Sequence, residues 1–179
     1  ISHFGRPNGE RNSEHSLAPV ARHLSQAIGE GVDFIPEHAG SNTEEHISKS
    51  KDRVIVLENL RFYEEEEEND EKFAKELASL ADIFVQDAFG VMHREHASIA
   101  GVPKFLPSYA GFLVEKEVSV LSFLLENQQR TLAILMGGAK ISTKIKVIEK
   151  FLNIADNICL GGALANTALK AKGMAIGKS

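Results

Sequence analysis

The sequence has no tryptophan, two tyrosines, five prolines and a single cysteine among its 179 residues. With Cys159 alone no internal disulfide can form, so packing must hold the fold. Cys159 sits in the apolar run Asn157-Ile158-Cys159-Leu160, which reads as a buried strand position rather than a reactive thiol. A reducing compartment fits that reading. No apolar run approaches the roughly 18–20 residues that span a bilayer, and the first residues lack a signal-peptide pattern. A basic excess is also missing. The formal net charge is −5, whereas a general nucleic-acid binder carries a basic surface. Any anion site must therefore be a local gathering of Arg, Lys and His on an acidic background. The chain opens Ile1-Ser2-His3 without an initiating Met and stops at Gly177-Lys178-Ser179, so truncation at both ends is the expectation.

What is present is ample apolar material, 43% of residues, with an ordinary 25% charged. That suffices for one sizeable core, or for one domain and part of another. Strand-like apolar runs alternate with helix-like periodic ones, the pattern of a parallel α/β fold with flanking helices. Leu17 to Ile28 reads as a helix with Ser16 as its cap, Pro19 in its first turn and Gly29 at its stop. Its apolar stripe is Leu17, Val20, Ala21, Leu24 and Ile28. Strands are predicted at Val32–Ile35, Val54–Leu57, Ile83–Val85, Leu132–Met136 and Ile158–Leu160. Further helices are predicted at Thr43–Lys51, Asp70–Leu80, Glu115–Glu126, Ser142–Asn153 and Ala163–Lys172. The glutamate run Glu64 to Glu68 reads as a solvated loop or a first helical turn, and Gly101 to Pro107 as a turn-rich connection. The polar break Asn127-Gln128-Gln129-Arg130 suggests a domain boundary.

Ligands of open parallel sheets bind beyond the carboxyl ends of the strands. The unusual residues of this chain fall at such ends. Strand Val54–Leu57 is followed by Glu58-Asn59-Leu60-Arg61-Phe62. Strand Ile83–Val85 is followed by Gln86-Asp87-Ala88-Phe89-Gly90 and then His93-Arg94-Glu95-His96. Ser2-His3-Phe4-Gly5-Arg6-Pro7 resembles a third crest. Together they supply His3, Arg6, Arg61, His93, Arg94 and His96, and the planar Arg fork matches carboxylate and phosphate oxygens. Singly, each has a bland alternative. Arg61 could pair with the glutamates that follow it, and the histidines could be satisfied structural groups. His93 and His96 could ligate a metal, but with no cysteine or third ligand nearby no metal site is assigned.

A second constellation follows Leu132–Met136, reading Gly137-Gly138-Ala139-Lys140-Ile141-Ser142-Thr143-Lys144. Glycines let the backbone approach a phosphate, and the next helix offers its amino end to the anion. Lys140 and Lys144 stand four apart, so both could project on one face. The following strand ends in Gly161-Gly162, again opening a helix, so two strand–glycine–helix units in succession point to a nucleotide. A P-loop at Gly177-Lys178-Ser179 is rejected, because Lys172 stands where that motif needs its first glycine.

Ser2 to Pro7, Leu57 to Phe62, Asp87 to Gly90, His93 to Ser98, Gly137 to Lys140 and Ile176 to Ser179 resemble motifs of the phosphoglycerate kinase family, in that family's order and over essentially the whole chain. The resemblance implies a Rossmann-like, two-domain hinge enzyme. Residues 1–112 would be most of a phosphoglycerate-binding domain, 113–129 the joining helix and linker, and 130–179 the start of a nucleotide domain. It implies reversible transfer of a phosphoryl group between 1,3-bisphosphoglycerate and ADP, giving 3-phosphoglycerate and ATP. Mg²⁺ would be carried on the nucleotide, in a cytoplasmic monomer that binds neither nucleic acid nor membrane. By motif, His3, Phe4, Gly5 and Arg6 would lie in the phosphoglycerate site, Arg61 and Arg94 would bind charged groups, and His93 and His96 would stand nearby. Gly137, Gly138, Lys140 and Lys144 would face the nucleotide phosphates, with Lys144 touching the transferring group and Lys140 beside it. Gly161 and Gly162 would line the adenine side. The family's opening Asp, Asn and Arg segment and its closing acidic residue and glycine-rich Asp loop do not occur here. Phe4 replaces a usual Leu, and Ala163 stands where many members have a third Gly. The segment alone is therefore expected to be inactive. A non-catalytic phosphoglycerate or anion binder, or another α/β sugar-phosphate enzyme, are the alternatives.

Overall fold

In the computed structural model, residues 1–126, 131–138, 142 and 144–178 are described, apart from the side chain of Ser41. They form two compact units, Ile1–Glu117 and Val118–Ser179. The division falls inside the helix that residues 113–129 were expected to provide.

Unit one contains helices α1 (Ala18–Ile28), α2 (Ser41–Lys49), α3 (Glu64–Glu68) and α4 (Glu71–Ala78). Its strands are β1 (Val32–Ile35), β2 (Val54–Leu57), β3 (Phe84–Gln86) and β4 (Ser108–Ala110). The strands pair in parallel, β1 with β2 and β3 with β4, in register Ile35 to Leu57 and Phe84 to Ser108. The core gathers where the carboxyl ends of β1 and β2 meet α4: Ile35, Leu57, Leu60, Phe73, Ala74, Leu77 and Val102 are buried together. Burying such side chains is worth about 1.5–3 kcal/mol each, which is why the apolar stripe of α4 decides where it docks.

Local chemistry accounts for the element ends. Pro19 lies in the first turn of α1, and Gly29 ends it with φ +69°, its N–H bonded to the Ser25 carbonyl. Ser16, just before Leu17, accepts from Ala18 N at 3.2 Å through its Oγ, which also donates to Glu58. Asp70 caps α4 by accepting from Phe73 N at 2.8 Å. Glu64 to Glu68 is a short helix, favoured by carboxylates at its amino end, and Asn69 in the left-handed region turns the chain into α4.

Unit two contains the later part of α5 (Phe112–Glu126), then β5 (Ala133–Met136), α6 (Ile145–Leu152), β6 (Asn157–Leu160) and α7 (Gly162–Ala171). β5 and β6 pair in parallel, Leu135 opposite Cys159. Burial alternates along both strands, and the face bearing Leu135 and Cys159 is open. Cys159 is therefore exposed, not buried as its apolar neighbours suggested, because nothing among the described residues packs on that face. No helix is long and apolar enough to cross a membrane among the described residues.

Candidate functional site

The crest after β2 is built from buried polar groups. Glu58 accepts from Leu17 N and Asn59 N, each at 2.8 Å, and from Ser16 Oγ at 2.9 Å, so its buried carboxylate is fully engaged. Asn59 is completely buried. Its Nδ2 donates to the carbonyls of Phe4 (2.7 Å) and His15 (2.9 Å), while its Oδ1 accepts from Arg61 N at 3.1 Å. Leu60 N donates to Ser2 O and Gly9 N to Arg61 O, both at 3.2 Å. The segment from Ser2 to Gly9 is thus stitched to the end of β2 by side chains and backbone alike.

That stitching sets Arg61. Its side chain is 6% exposed, its Nη1 donates to Gly5 O at 2.9 Å, and its Nε lies 3.2 Å from Glu67 Oε1 without hydrogen-bond alignment. The paired-arginine alternative therefore holds in part: Glu67 is an ion-pair partner, but a half-exposed one. Arg94 is half-buried, with its Nε enclosed and unpartnered. Arg6 is exposed, next to the Gly5 carbonyl that receives Arg61, and Phe4 packs edge-on against His15 with its ring half exposed.

The electrostatics tie these groups into one field. Burial lowers the pKa of His3 first, and the charges of Arg61, His96 and Arg94 lower it further, with Glu67 opposing. Burial likewise lowers His96; Glu67 resists, and Arg61, Arg94 and His93 add to the lowering. Arg61 and Arg94 therefore bear on both His3 and His96, and His93 on His96, with Glu67 opposing at each. A cleft of about 330 Å³ is lined by His3, Leu60, Glu66, Asp87 and Ser98 among others, and a second of about 500 Å³, which shares Phe84, Gln86 and Ile99 with it, is lined by His93 and Arg94. A larger hollow of about 590 Å³ lies at Asp33, His46 and Asp52, by the loop entering β2, away from these cations. No group of three or more His, Cys, Asp or Glu suited to a metal occurs among the described residues.

In unit two, the ends of β5 and β6 lie side by side: Gly161 N donates to Met136 O at 2.8 Å. Gly137 and Gly138 follow β5, and Gly161 and Gly162 open α7. Gly138 has φ +132°, and a Cβ there would stand 2.6 Å from Lys144 Nζ, so the ammonium lies directly over this glycine. Lys144 precedes the first turn of α6, placing a cation and a helix amino end above bare backbone. Lys140 lies outside the described residues. Glu58, Asn59, Glu66 and Ser98 are the site-building residues that strand-end reasoning passed over, because their partners lie far along the chain.

The profile of the phosphoglycerate kinase family matches residues 1–179. Curated phosphoglycerate kinases of Coprothermobacter proteolyticus and Finegoldia magna are each 48% identical to this chain across its whole length. The solved phosphoglycerate kinase of Coxiella burnetii superposes with a TM-score of 0.78 at 43% identity, over 99% of this chain and 45% of that one. The enzyme from Pyrococcus horikoshii superposes with a TM-score of 0.82 at 34% identity, over 98% and 45%. The chain spans 46% of the length of the two curated relatives. With a matching profile from end to end, and the same fold at more than a third identity, this chain belongs to the phosphoglycerate kinase family.

Proposed function

We propose that this chain supplies the phosphoglycerate site and the first part of the nucleotide site of an enzyme moving a phosphoryl group reversibly between 1,3-bisphosphoglycerate and ADP. One observation carries the reading: the charges of Arg61 and Arg94 reach both His3 and His96, and His3 and Arg94 line two clefts that share Phe84, Gln86 and Ile99, although these four residues come from three separate segments. A small ligand with a carboxylate and a phosphate satisfies that field better than one counter-ion can. Arg61 and Arg94 grip its oxygens, Arg6 adds an exposed fork, and His3, His93 and His96 border it. Phe4 and Gly5 shape the loop that carries Arg6.

Phosphoryl transfer demands alignment and charge stabilisation more than a protein base. Lys144, held over Gly138, is suited to the oxygens of the transferring group. Gly137 and Gly138 admit the phosphates, Lys140 would add a second cation, and Gly161 and Gly162 leave room for the base. Mg²⁺ arrives as part of the nucleotide and neutralises phosphate charge. The two sites serve one reaction if a hinge near residues 113–129 brings domains 1–112 and 130–179 together and excludes water. The working protein is then a cytoplasmic monomer with no call on nucleic acid or membrane.

The test is a coupled assay on the full-length protein that carries this chain. ATP consumption dependent on 3-phosphoglycerate is expected there and is expected to be absent from residues 1–179 alone. A full-length protein that is folded yet turns over no ATP with 3-phosphoglycerate would end this reading.

A further inference from the structure

Within the run of five glutamates, four are exposed and one is not: Glu66 is 2% exposed. Its carboxylate is engaged by one distant residue. Ser98 N donates to Oε2 at 2.9 Å and Ser98 Oγ donates to Oε1 at 2.6 Å. His96 Nδ1 stands 3.7 Å from the same Oε1. Ser98 is itself 8% exposed, and its neighbour Ala97 is fully buried. Glu66 lies on α3, directly after the turn Leu60–Phe62 that bears Arg61, and Ser98 is the second residue of the π-helical turn Ala97–Gly101, directly after His93, Arg94 and His96.

We propose that Glu66 is a positioning residue: its carboxylate clamps the start of the 97–101 turn to α3, and so fixes His93, Arg94 and His96 in register with Arg61. The inference rests on the phosphoglycerate reading of that cation cluster. Three observations support it. Both carboxylate oxygens are spent on Ser98, a two-point attachment that sets orientation as well as distance. The carboxylate also lines the 330 Å³ cleft that His3 lines, where a negative charge opposes an anionic ligand. Its worth there must lie in what it holds rather than in what it binds. Finally, burial raises the pKa of Glu66 even though Ser98 and Arg61 favour its ionised form, so a carboxylate there carries a cost that an apolar filler would avoid.

Steady-state kinetics on the full-length protein test the clamp, with 3-phosphoglycerate and ATP varied separately. Glu66→Gln turns one acceptor oxygen into a donor facing Ser98, and Ser98→Ala removes one bond with little change of volume. The expected result is a rise in the KM for 3-phosphoglycerate of about tenfold for Glu66→Gln and about threefold for Ser98→Ala, with the KM for ATP within about twofold. The double variant should be no worse than Glu66→Gln alone, because both changes break the same attachment. A KM for 3-phosphoglycerate that stays put, or rises in step with that for ATP, overturns the proposal. If Glu66→Gln does not fold, Ser98→Ala decides by the same criterion. Hydrogen exchange at residues 93–98 gives a reading independent of turnover: it should quicken in the variants while exchange in α4 is unchanged, and equal quickening in both places counts against the clamp. A wild-type protein without phosphoglycerate-dependent turnover would overturn the functional reading and the ligand named here, with exchange still judging the clamp.

Discussion

Arg61 is the residue on which most of the cation cluster turns. It is fixed by Gly5 O, balanced by Glu67 and felt by both His3 and His96. Arg61→Lys keeps the charge but loses the fork, and Arg61→Ala loses both. We expect the KM for 3-phosphoglycerate in the full-length protein to rise about tenfold or more for Arg61→Lys and further for Arg61→Ala. Glu67 competes for the same guanidinium, so Glu67→Gln should lower that KM; an unchanged value would show that Glu67 does not screen the site. The imidazoles add a pH dependence. His3 and His96 have pKa values lowered by burial and by neighbouring cations, so both favour the neutral form in the free protein. An arriving anion favours their charged form and draws protons onto them. Binding should therefore take up protons and tighten as pH falls through the range below the ordinary imidazole value of about 6.5. Calorimetry in buffers of differing ionisation enthalpy measures the uptake, and His96→Gln should reduce it. The same lowered values mean that the unfolded chain binds more protons. The unliganded fold thus loses stability as pH falls through that range.

Elements divide into those whose signals are local and those whose signals are not. Periodicity placed α1 and α4 to within a residue or two of their ends, and apolar runs located β1, β2, β5 and β6. β4 was missed: all three of its residues are exposed, so Ser108-Tyr109-Ala110 shows no alternation, and only pairing with β3 makes it a strand. α5 begins at Phe112, three residues earlier than Glu115, because Asp87 Oδ1 accepts from Leu113 N at 2.7 Å and from Val114 N at 3.2 Å, a cap supplied from elsewhere in the chain. The candidate site divides in the same way. Arg and His at strand ends were legible by residue type. Glu66 read as one solvated glutamate among five, since its partner Ser98 is 32 residues away. Two substitutions test the local logic. Asp70→Ala removes the α4 cap and should cost about 1 kcal/mol in denaturant unfolding. Gly138→Ala places a Cβ at φ +132° against Lys144, and should weaken ATP binding in the full-length protein more than it changes stability.

At the scale of the molecule, 179 residues leave large apolar side chains uncovered, among them Phe112 at 88% and Leu135 at 81% exposure. A protein of these residues alone should bind a hydrophobic dye and associate as its concentration rises, by fluorescence and sedimentation, and the full-length protein should do neither. The stitching of Ser2–Gly9 to Asn59–Arg61 bears on how the molecule comes into being. That crest has its hydrogen-bond partners some 55 residues later, at Asn59 and Arg61. During synthesis those bonds can form only after Asn59 and Arg61 have been made, whereas the 93–96 loop, whose clamp partner Glu66 precedes it, waits only for Ser98. The segment from Ser2 to Gly9 is thus settled only once a stretch some 55 residues further on has been made, which makes it a natural handle for a chaperone on the nascent chain.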